Sequence, residues 1–503
     1  MAWLLVAVVI VAGGGWAAWL LAQSRLKGGG WLLATLTLAL SVGAISLLML
    51  WEGLIGIPFS LWGVTLPYLA LALPGWWLWW RARGAWGLNP KLEVVSGSPL
   101  KGLAPTPPPN IEMAARETGW IFRWFIVALL VIISAGVLFN AAYWPFYRDD
   151  TLGIYAPQAA AMYGTRALIP IDRIDVLYET YPMLMPLTYT YTYLASGWAN
   201  EYLAKLVSAL LALACLPTAY ELGKALYGRM SGALAALLLA LTPTFGRWAS
   251  SGYVDLPMAF FYTLAALFAW RLWQARHWSD ALLAGILVGL AAWTKNAGLI
   301  GIAVLTLWLL WALINRRISW REMVLALAAC AVVAGPWYAR NLLLGGVLIP
   351  DTAWVDQAQR SSQNLMVFIT RDELFGLAGW VILAAVIGAL VRLVRLRGDA
   401  PEHALLLLWT LPFFAAWWLY VSYDPRFLLL FLPALIVLGG AWLAYMWGSV
   451  PSRWRTVAAV LAAAVVLAMA LLVVWNSVEF KDAILRNPLM DDAAKRTLIF
   501  GEE

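Results

Sequence analysis

The chain is short of charge. Of its 503 residues only 12% are Asp, Glu, Lys or Arg, and 63% are hydrophobic. A soluble domain carries about a quarter charged residues and about half apolar ones. So few polar side chains cannot cover a water-exposed surface, which excludes a soluble fold. Cysteine is scarce as well. Cys215 and Cys330 are the two present, each inside an apolar run, which excludes a disulfide framework. The two histidines, His277 and His403, flank basic loops on one side of the predicted membrane topology. A zinc site on the opposite side would therefore lack its usual nitrogen and sulfur ligands. No Walker A sequence or dinucleotide fingerprint occurs, and no nucleic-acid-binding module, so no nucleic acid is expected as a partner. The formal net charge of +7 is read as loop asymmetry across a membrane.

What is present is a succession of apolar runs, each long enough to cross about 30 Å of hydrocarbon. Fourteen spans are expected: 1–22, 31–56, 61–80, 120–142, 202–222, 231–246, 254–272, 279–294, 297–315, 322–340, 375–392, 404–421, 427–447 and 456–475. The first is expected to be a membrane helix rather than a leader peptide, because its basic residues, Arg25 and Lys27, follow the apolar run. Two polar loops, 143–201 and 342–374, and a polar tail, 476–503, alternate with short basic loops. With the N-terminus outside, roughly 20 of the 34 basic residues fall in the cytoplasm, against roughly 8 of the 27 acidic ones. The two loops and the tail then lie outside. The fold class expected is all-α and polytopic, in four parts. Residues 1–80 form a three-helix membrane segment. Residues 81–118, with Pro-Thr-Pro-Pro-Pro at 105–109, form a cytoplasmic linker that cannot build a core. Residues 119–475 form the main helical body, and 476–503 the outer tail. The 33 Trp and 19 Tyr fit belts at the two lipid–water interfaces.

The chemistry-bearing residues gather at the outer ends of these spans. Asp149 and Asp150 open the first loop. One carboxylate of such a pair can take a proton from a hydroxyl nucleophile while the other holds a cation or a sugar hydroxyl. Tyr155 follows, then Glu179-Thr180-Tyr181-Pro182, where proline beside aromatics suggests a fixed backbone returning toward the membrane. Asp255 starts an apolar helix, and an ionisable residue there is a candidate by default. Lys295, Arg340 and Arg426 end or start spans on the same side and together suit a lipid-linked phosphate. Any one of them alone would be explained by snorkelling. A metal here would have oxygen ligands only, with Asp149, Asp150 and Glu179 available, which favours Mg²⁺ or Mn²⁺.

From about residue 120 to 447 the order of these motifs resembles the membrane glycosyltransferases of the C-type fold, a group that includes the protein O-mannosyltransferases and the aminoarabinose transferase of lipid A. The acidic pair of that group is matched by Asp149-Asp150, and its Glu-x-Pro-Pro-Leu-like element loosely by Glu179 to Leu184. Its later Asp is matched by Asp255, its Thr-Lys-Gly-like element by Thr294-Lys295-Asn296, and its Pro-Trp-Tyr-x-Arg-Asn element by residues 336–341, with Leu348-Ile349-Pro350 shortly after. Arg426-Phe427 stands for a late Arg-Tyr pair. Thr180 and Asn296 depart from the pattern, and the first three helices lie outside it.

The resemblance implies a C-type core of about eleven transmembrane helices behind three additional ones. It implies transfer of a sugar, with inversion, from a polyprenyl-phosphate donor to a hydroxyl on protein, lipid or glycan. The site would face outside in the plasma (inner) membrane. Asp149 or Asp150 would be the base, and Lys295, Arg340 and Arg426 would contact phosphate. Tyr155, Glu179, Tyr181, Asp255, Tyr338 and Asn341 would bind sugar or acceptor, and membrane lipids would surround the rest. The alternative is a polytopic lipid or solute transporter, which would need charges near the bilayer midplane and internal symmetry. A non-catalytic scaffold explains the hydropathy but not the clustered acids.

Overall fold

A computed structural model describes residues 1–24, 26, 28–85, 120–172, 175–349, 353–395 and 401–501. Most of the linker, together with Arg25, Lys27 and Pro350, lies outside the described residues.

The described residues are helices and connections, with no strand among them. Eleven helices are long and apolar enough to cross a membrane, and three shorter apolar ones, Arg229–Ala240, Trp278–Thr294 and Gly298–Ile314, accompany them. Those fourteen correspond one to one with the expected spans. The protein is an integral membrane protein. Hydrophobicity does not drive helices together in lipid, so close backbone approach must. Small residues supply it. A methyl group on Gly285 would stand 2.0 Å from the Ala326 carbonyl oxygen, and one on Gly440 would stand 2.4 Å from that of Ser231. The Asp255–Ala275 helix is the axis of the bundle, with every residue from Asp255 to Trp273 buried.

The first three spans, Ala2–Gln23, Gly30–Leu54 and Leu61–Ala82, are bonded into the same body. Ser46 Oγ and Thr188 Oγ1 lie 2.9 Å apart, as do Thr65 Oγ1 and the Tyr191 hydroxyl. Both partners belong to the helix Leu184–Ser196, eleven of whose thirteen residues are buried. This is the main departure from expectation, because that stretch reads as polar loop. Its threonines explain the difference. Thr188 and Thr190 donate to the Leu184 and Pro186 carbonyls of their own helix, at 2.8 and 2.9 Å. A hydroxyl satisfied in this way is nearly apolar to its surroundings, and the segment enters the bundle.

Polar side chains separate to the two ends of the bundle. At one end Arg271 Nε donates to Asp280 at 2.9 Å, and Ser24 Oγ bonds both side chains. Lys224 pairs with Glu221 at the same end, beside Gly29. The opposite end carries the loop 143–201 and the candidate residues. The tail also folds back there, as short helices Lys481–Arg486 and Asp492–Phe500.

Candidate active site

Four of the residues singled out from sequence converge. Arg426 Nη2 lies 2.8 Å from Asp150 Oδ2, and its Nε lies 3.7 Å from Asp255 Oδ2. Lys295 Nζ donates to Asp255 Oδ1 at 2.5 Å. Asp424 completes the cluster, 3.4 Å from Arg426 Nε, while its Oδ1 accepts the Arg426 backbone N–H at 2.8 Å. Three carboxylates thus surround two cations. Asp255 is 1% exposed, and Lys295 and Arg426 are each 8% exposed.

Each member stands at or beside a helix end or in the gap between two helices. Asp255 is the first residue of the axial helix, where an acid complements the helix dipole. The turn before it needs glycine. Gly252 has φ +81, and a Cβ there would stand 2.5 Å from the Phe146 ring. Thr151 Oγ1 bonds the Ser251 carbonyl, and the Asp150 N–H bonds the Tyr253 hydroxyl at 3.0 Å. These two bonds tie the strip holding Asp150 to the strip holding Asp255. Lys295 sits in an extended gap between the helices Trp278–Thr294 and Gly298–Ile314. Asp424 caps the 3-10 turn Pro425–Leu430, which carries Arg426. One-turn π-helical segments at Thr151–Tyr155, Asn341–Gly345 and Trp417–Val421 adjoin or closely precede Asp150, Arg340 and Asp424. Such turns collect at functional positions.

Aromatic rings wall the cluster. The Arg426 guanidinium lies over the rings of Tyr253 (4.5 Å), Phe427 (4.8 Å) and Trp248 (5.3 Å), and Lys295 Nζ over Phe427 at 4.3 Å. Tyr155 packs against Tyr181 and Tyr253. Burial, and then the neighbouring Tyr181, Asp150 and Asp255, push the Tyr155 phenol well up, so it remains a hydrogen-bond donor. Tyr253 is pushed up to about 12, mainly by burial and then by the Asp150 charge. Burial acts to lower Lys295, but Asp255 and Tyr181 outweigh it and its pKa ends raised. Arg426 is raised in the same way by Asp255, Asp150 and Asp424 against the effect of burial.

The remaining candidates sit nearby with different duties. Asp149 is exposed and makes no hydrogen bond or ion pair among the described residues. The expected phosphate contact of Arg340 is not where the structure spends its donors. Buried, Arg340 bonds the carbonyls of Ile169 and Glu179 and the Asn341 side chain. Asn341 Nδ2 and Trp337 Nε1 both donate to the Thr180 carbonyl, at 2.8 and 3.2 Å. The Pro-Trp-Tyr-x-Arg-Asn element therefore fastens the loop backbone over the site. Tyr338 bonds Ala292 O at 2.8 Å and Asn296 Oδ1 at 3.2 Å, bracing the gap that holds Lys295. Glu179 is buried, with Oε1 3.4 Å from the Asp175 N–H. The oxygen set proposed for a metal, Asp149, Asp150 and Glu179, is not assembled. No group of three potential ligands with metal-holding geometry occurs among the described residues.

Asp424, Tyr253 and Trp248 are absent from the sequence-derived set. Asp424 stands two residues before Arg426 in Tyr-Asp-Pro-Arg-Phe, and an acid before proline reads equally well as turn chemistry.

A family model described as dolichyl-phosphate-mannose-protein mannosyltransferase matches residues 182–337, which include Asp255 and Lys295. The lipid A galacturonosyltransferase RgtD of Rhizobium johnstonii is 30% identical over 206 residues, 36% of this chain and 42% of that protein. The chain thus spans under half the length of this curated relative. Two solved structures share the architecture. ArnT from Cupriavidus metallidurans, bound to undecaprenyl phosphate, gives a TM-score of 0.51 at 19% identity, covering 76% of this chain and 75% of that one. The oligosaccharyltransferase AglB from Archaeoglobus fulgidus, in complex with an inhibitory peptide and a dolichol-phosphate, gives 0.50 at 14% identity, covering 76% and 60%. The chain is similar to the C-type membrane glycosyltransferases and has their fold.

Proposed function

We propose that the protein is a glycosyltransferase, taking a sugar from a polyprenyl-phosphate donor and placing it on a hydroxyl acceptor at the extracytoplasmic face of the plasma (inner) membrane. The observation that carries this reading is the convergence of Asp150, Asp255, Lys295 and Arg426 at one end of the bundle. The basic loops lie at the other end, and positive loops stay in the cytoplasm. The names of the relatives are consistent with it: ArnT is crystallised with undecaprenyl phosphate, and RgtD is a lipid A transferase.

The chemistry follows from the charges. The acceptor hydroxyl attacks the anomeric carbon and inverts it. Its proton passes to Asp149, whose oxygens are uncommitted and open to solvent. The bond from anomeric carbon to phosphate oxygen breaks, and polyprenyl phosphate departs with the electron pair. Lys295 and Arg426 meet that charge. They are fixed before substrate arrives, so no reorganisation is needed in the transition state. Asp150 and Asp424 hold the guanidinium, and Asp255 holds the ammonium. Arg426 Nε and Asp255 Oδ2 are buried without a hydrogen-bond partner, leaving a donor and an acceptor for phosphate and sugar hydroxyl. Arg426 already pairs with Asp150, and Asp149 and Glu179 are not gathered with it into a ligand set, so the reaction is proposed to proceed without a divalent ion.

Reconstituted protein given an undecaprenyl-phosphate-linked sugar, with lipid A as the first acceptor, is expected to release undecaprenyl phosphate and glycosylate the acceptor without any nucleotide sugar. Movement of the intact lipid across the vesicle with no bond broken would establish the transporter instead.

A further inference from the structure

The tail after the last membrane helix has no part in the scheme above, yet it is bonded to the loop that carries Asp149 and Asp150. Glu479 forms an ion pair with Arg148, the residue before the acidic pair. The Glu479 backbone is bonded on both sides. Its N–H donates to Asn140 Oδ1, and its carbonyl accepts from Trp144 Nε1, each at 3.2 Å. Phe480 packs against Trp144 and Tyr147. Further on, the Tyr143 hydroxyl bonds the Pro488 carbonyl, Tyr202 bonds Asp492, and Arg496 pairs with Glu201 at 3.3 Å. Glu201 in turn accepts the Phe146 N–H at 3.0 Å. From the inner side Lys205, wholly buried, donates to the carbonyls of Trp144 and Pro145 at 3.1 Å each.

The strip 143–148 is therefore gripped from two sides, by the bundle beneath it and by the tail beside it. Arg148 also lies 4.9 Å from the Trp248 ring. The same ring lies 5.3 Å from Arg426 and stacks on Tyr253 at 5.0 Å. A continuous line of contacts runs from Glu479 through Arg148 and Trp248 to Arg426. In the other direction Arg148 continues along the chain directly into Asp149 and Asp150. Both sides of the Asp150–Arg426 pair thus depend on where Arg148 is held.

We infer that the tail is a clamp, and that Glu479 and Arg148 are positioning residues. Through them residues 478–501 set the alignment of the acidic pair against Arg426. The inference rests on the glycosyl-transfer reading for its kinetic arm alone. Neither residue has a part in the proposed transfer, so their loss should misplace the base and the leaving-group cation without removing either. A misplacement of about 1 Å lowers turnover by up to about a hundredfold while ground-state binding persists.

The test uses full-length protein in nanodiscs with an undecaprenyl-phosphate-linked sugar and lipid A. Glu479→Gln is expected to lower kcat ten- to a hundredfold and to leave the donor KM within about twofold. Arg148→Lys should retain more activity than Arg148→Ala. Glu373→Gln, in an exposed pair with Arg371 elsewhere on the same end, should change nothing. Hydrogen exchange read by mass spectrometry gives an arm independent of turnover. In Glu479→Gln, residues 148–155 should exchange faster while the Asp255–Ala275 helix is unaffected. Unchanged kcat, or unchanged exchange at 148–155, overturns the clamp. A wild-type protein that transfers no sugar overturns the reaction instead, and the exchange result then decides the clamp by itself.

Discussion

Removing the Lys295 ammonium should do more harm than its own contacts explain. In Lys295→Met the stem is kept and the charge is lost. Asp255, 1% exposed, loses the donor 2.5 Å from its Oδ1. Its other oxygen has only Arg426 Nε at 3.7 Å, too long for a hydrogen bond, and Arg426 is already shared with Asp150 and Asp424. Three carboxylates facing two cations become three facing one. Breaking a buried pair from one side costs about 3–5 kcal/mol, because the partner charge remains buried. Removing both charges with Asp255→Asn/Lys295→Met should return much of that stability, since the cost lies in the orphaned carboxylate. Cys215 and Cys330 are free and buried, so a thiol-reactive dye reports thermal unfolding in detergent. Expected is a large fall in melting temperature for Lys295→Met and a smaller fall for the double variant. Both should turn over donor far more slowly, because one of the two cations assigned to the phosphate is gone from each. A double variant no more stable than Lys295→Met would refute the argument.

Asp149→Asn should lower turnover by about 10²-fold or more, the usual scale for loss of a general base, at unchanged thermal stability; a near-normal rate would remove Asp149 from the mechanism. Chelation with EDTA should leave transfer unaffected, and a requirement for added Mg²⁺ or Mn²⁺ would overturn the role given to Arg426. Gly285→Leu should prevent assembly and Gly285→Ala should lower the melting temperature, because the added methyl meets the Ala326 carbonyl oxygen at 2.0 Å; normal melting of the Ala variant would argue against that close approach. The contributions of Lys295 and Tyr253 to stability should be flat from pH 7 to about 9.5 and fall above it. The raised pKa of Lys295 means its contribution is complete below its ordinary 10.5 and is lost as pH rises through the folded value. Tyr253, held at about 12, resists ionising in the folded state above the ordinary 10 while the unfolded chain ionises freely. A decline between pH 7 and 9 that is present in wild type and absent from Lys295→Met and Tyr253→Phe would contradict both.

The helices were legible because a bilayer permits few alternatives. An apolar run of that length has one stable form, and the sign of its flanking charges orders it. The site was legible where a charge stood at the end of such a run, as with Asp255, Lys295 and Arg426. It was obscured where a residue's duty depends on partners far along the chain. Arg340 looks in sequence like the other two cations, yet its donors reach Ile169 and Glu179, some 160 to 170 positions away. Leu184–Ser196 was hidden because hydropathy scores a threonine hydroxyl as polar whether or not it is satisfied within its own helix. The tail was opaque for the same reason as Arg340, since Glu479 acquires meaning only beside Arg148.

The bonds from Ser46 and Thr65 to the helix Leu184–Ser196 bear on assembly. The last of the first three spans ends at Ala82, about a hundred residues before Leu184, the start of the helix they grip. Until it arrives, their hydroxyl-bearing faces have only one another and lipid to meet. When it enters, it brings tyrosines and threonines into a slot already lined with matching oxygens. The order of synthesis therefore makes the N-terminal spans a mould for that helix. A chain begun at residue 120 would insert its remaining spans yet leave that helix without a wall.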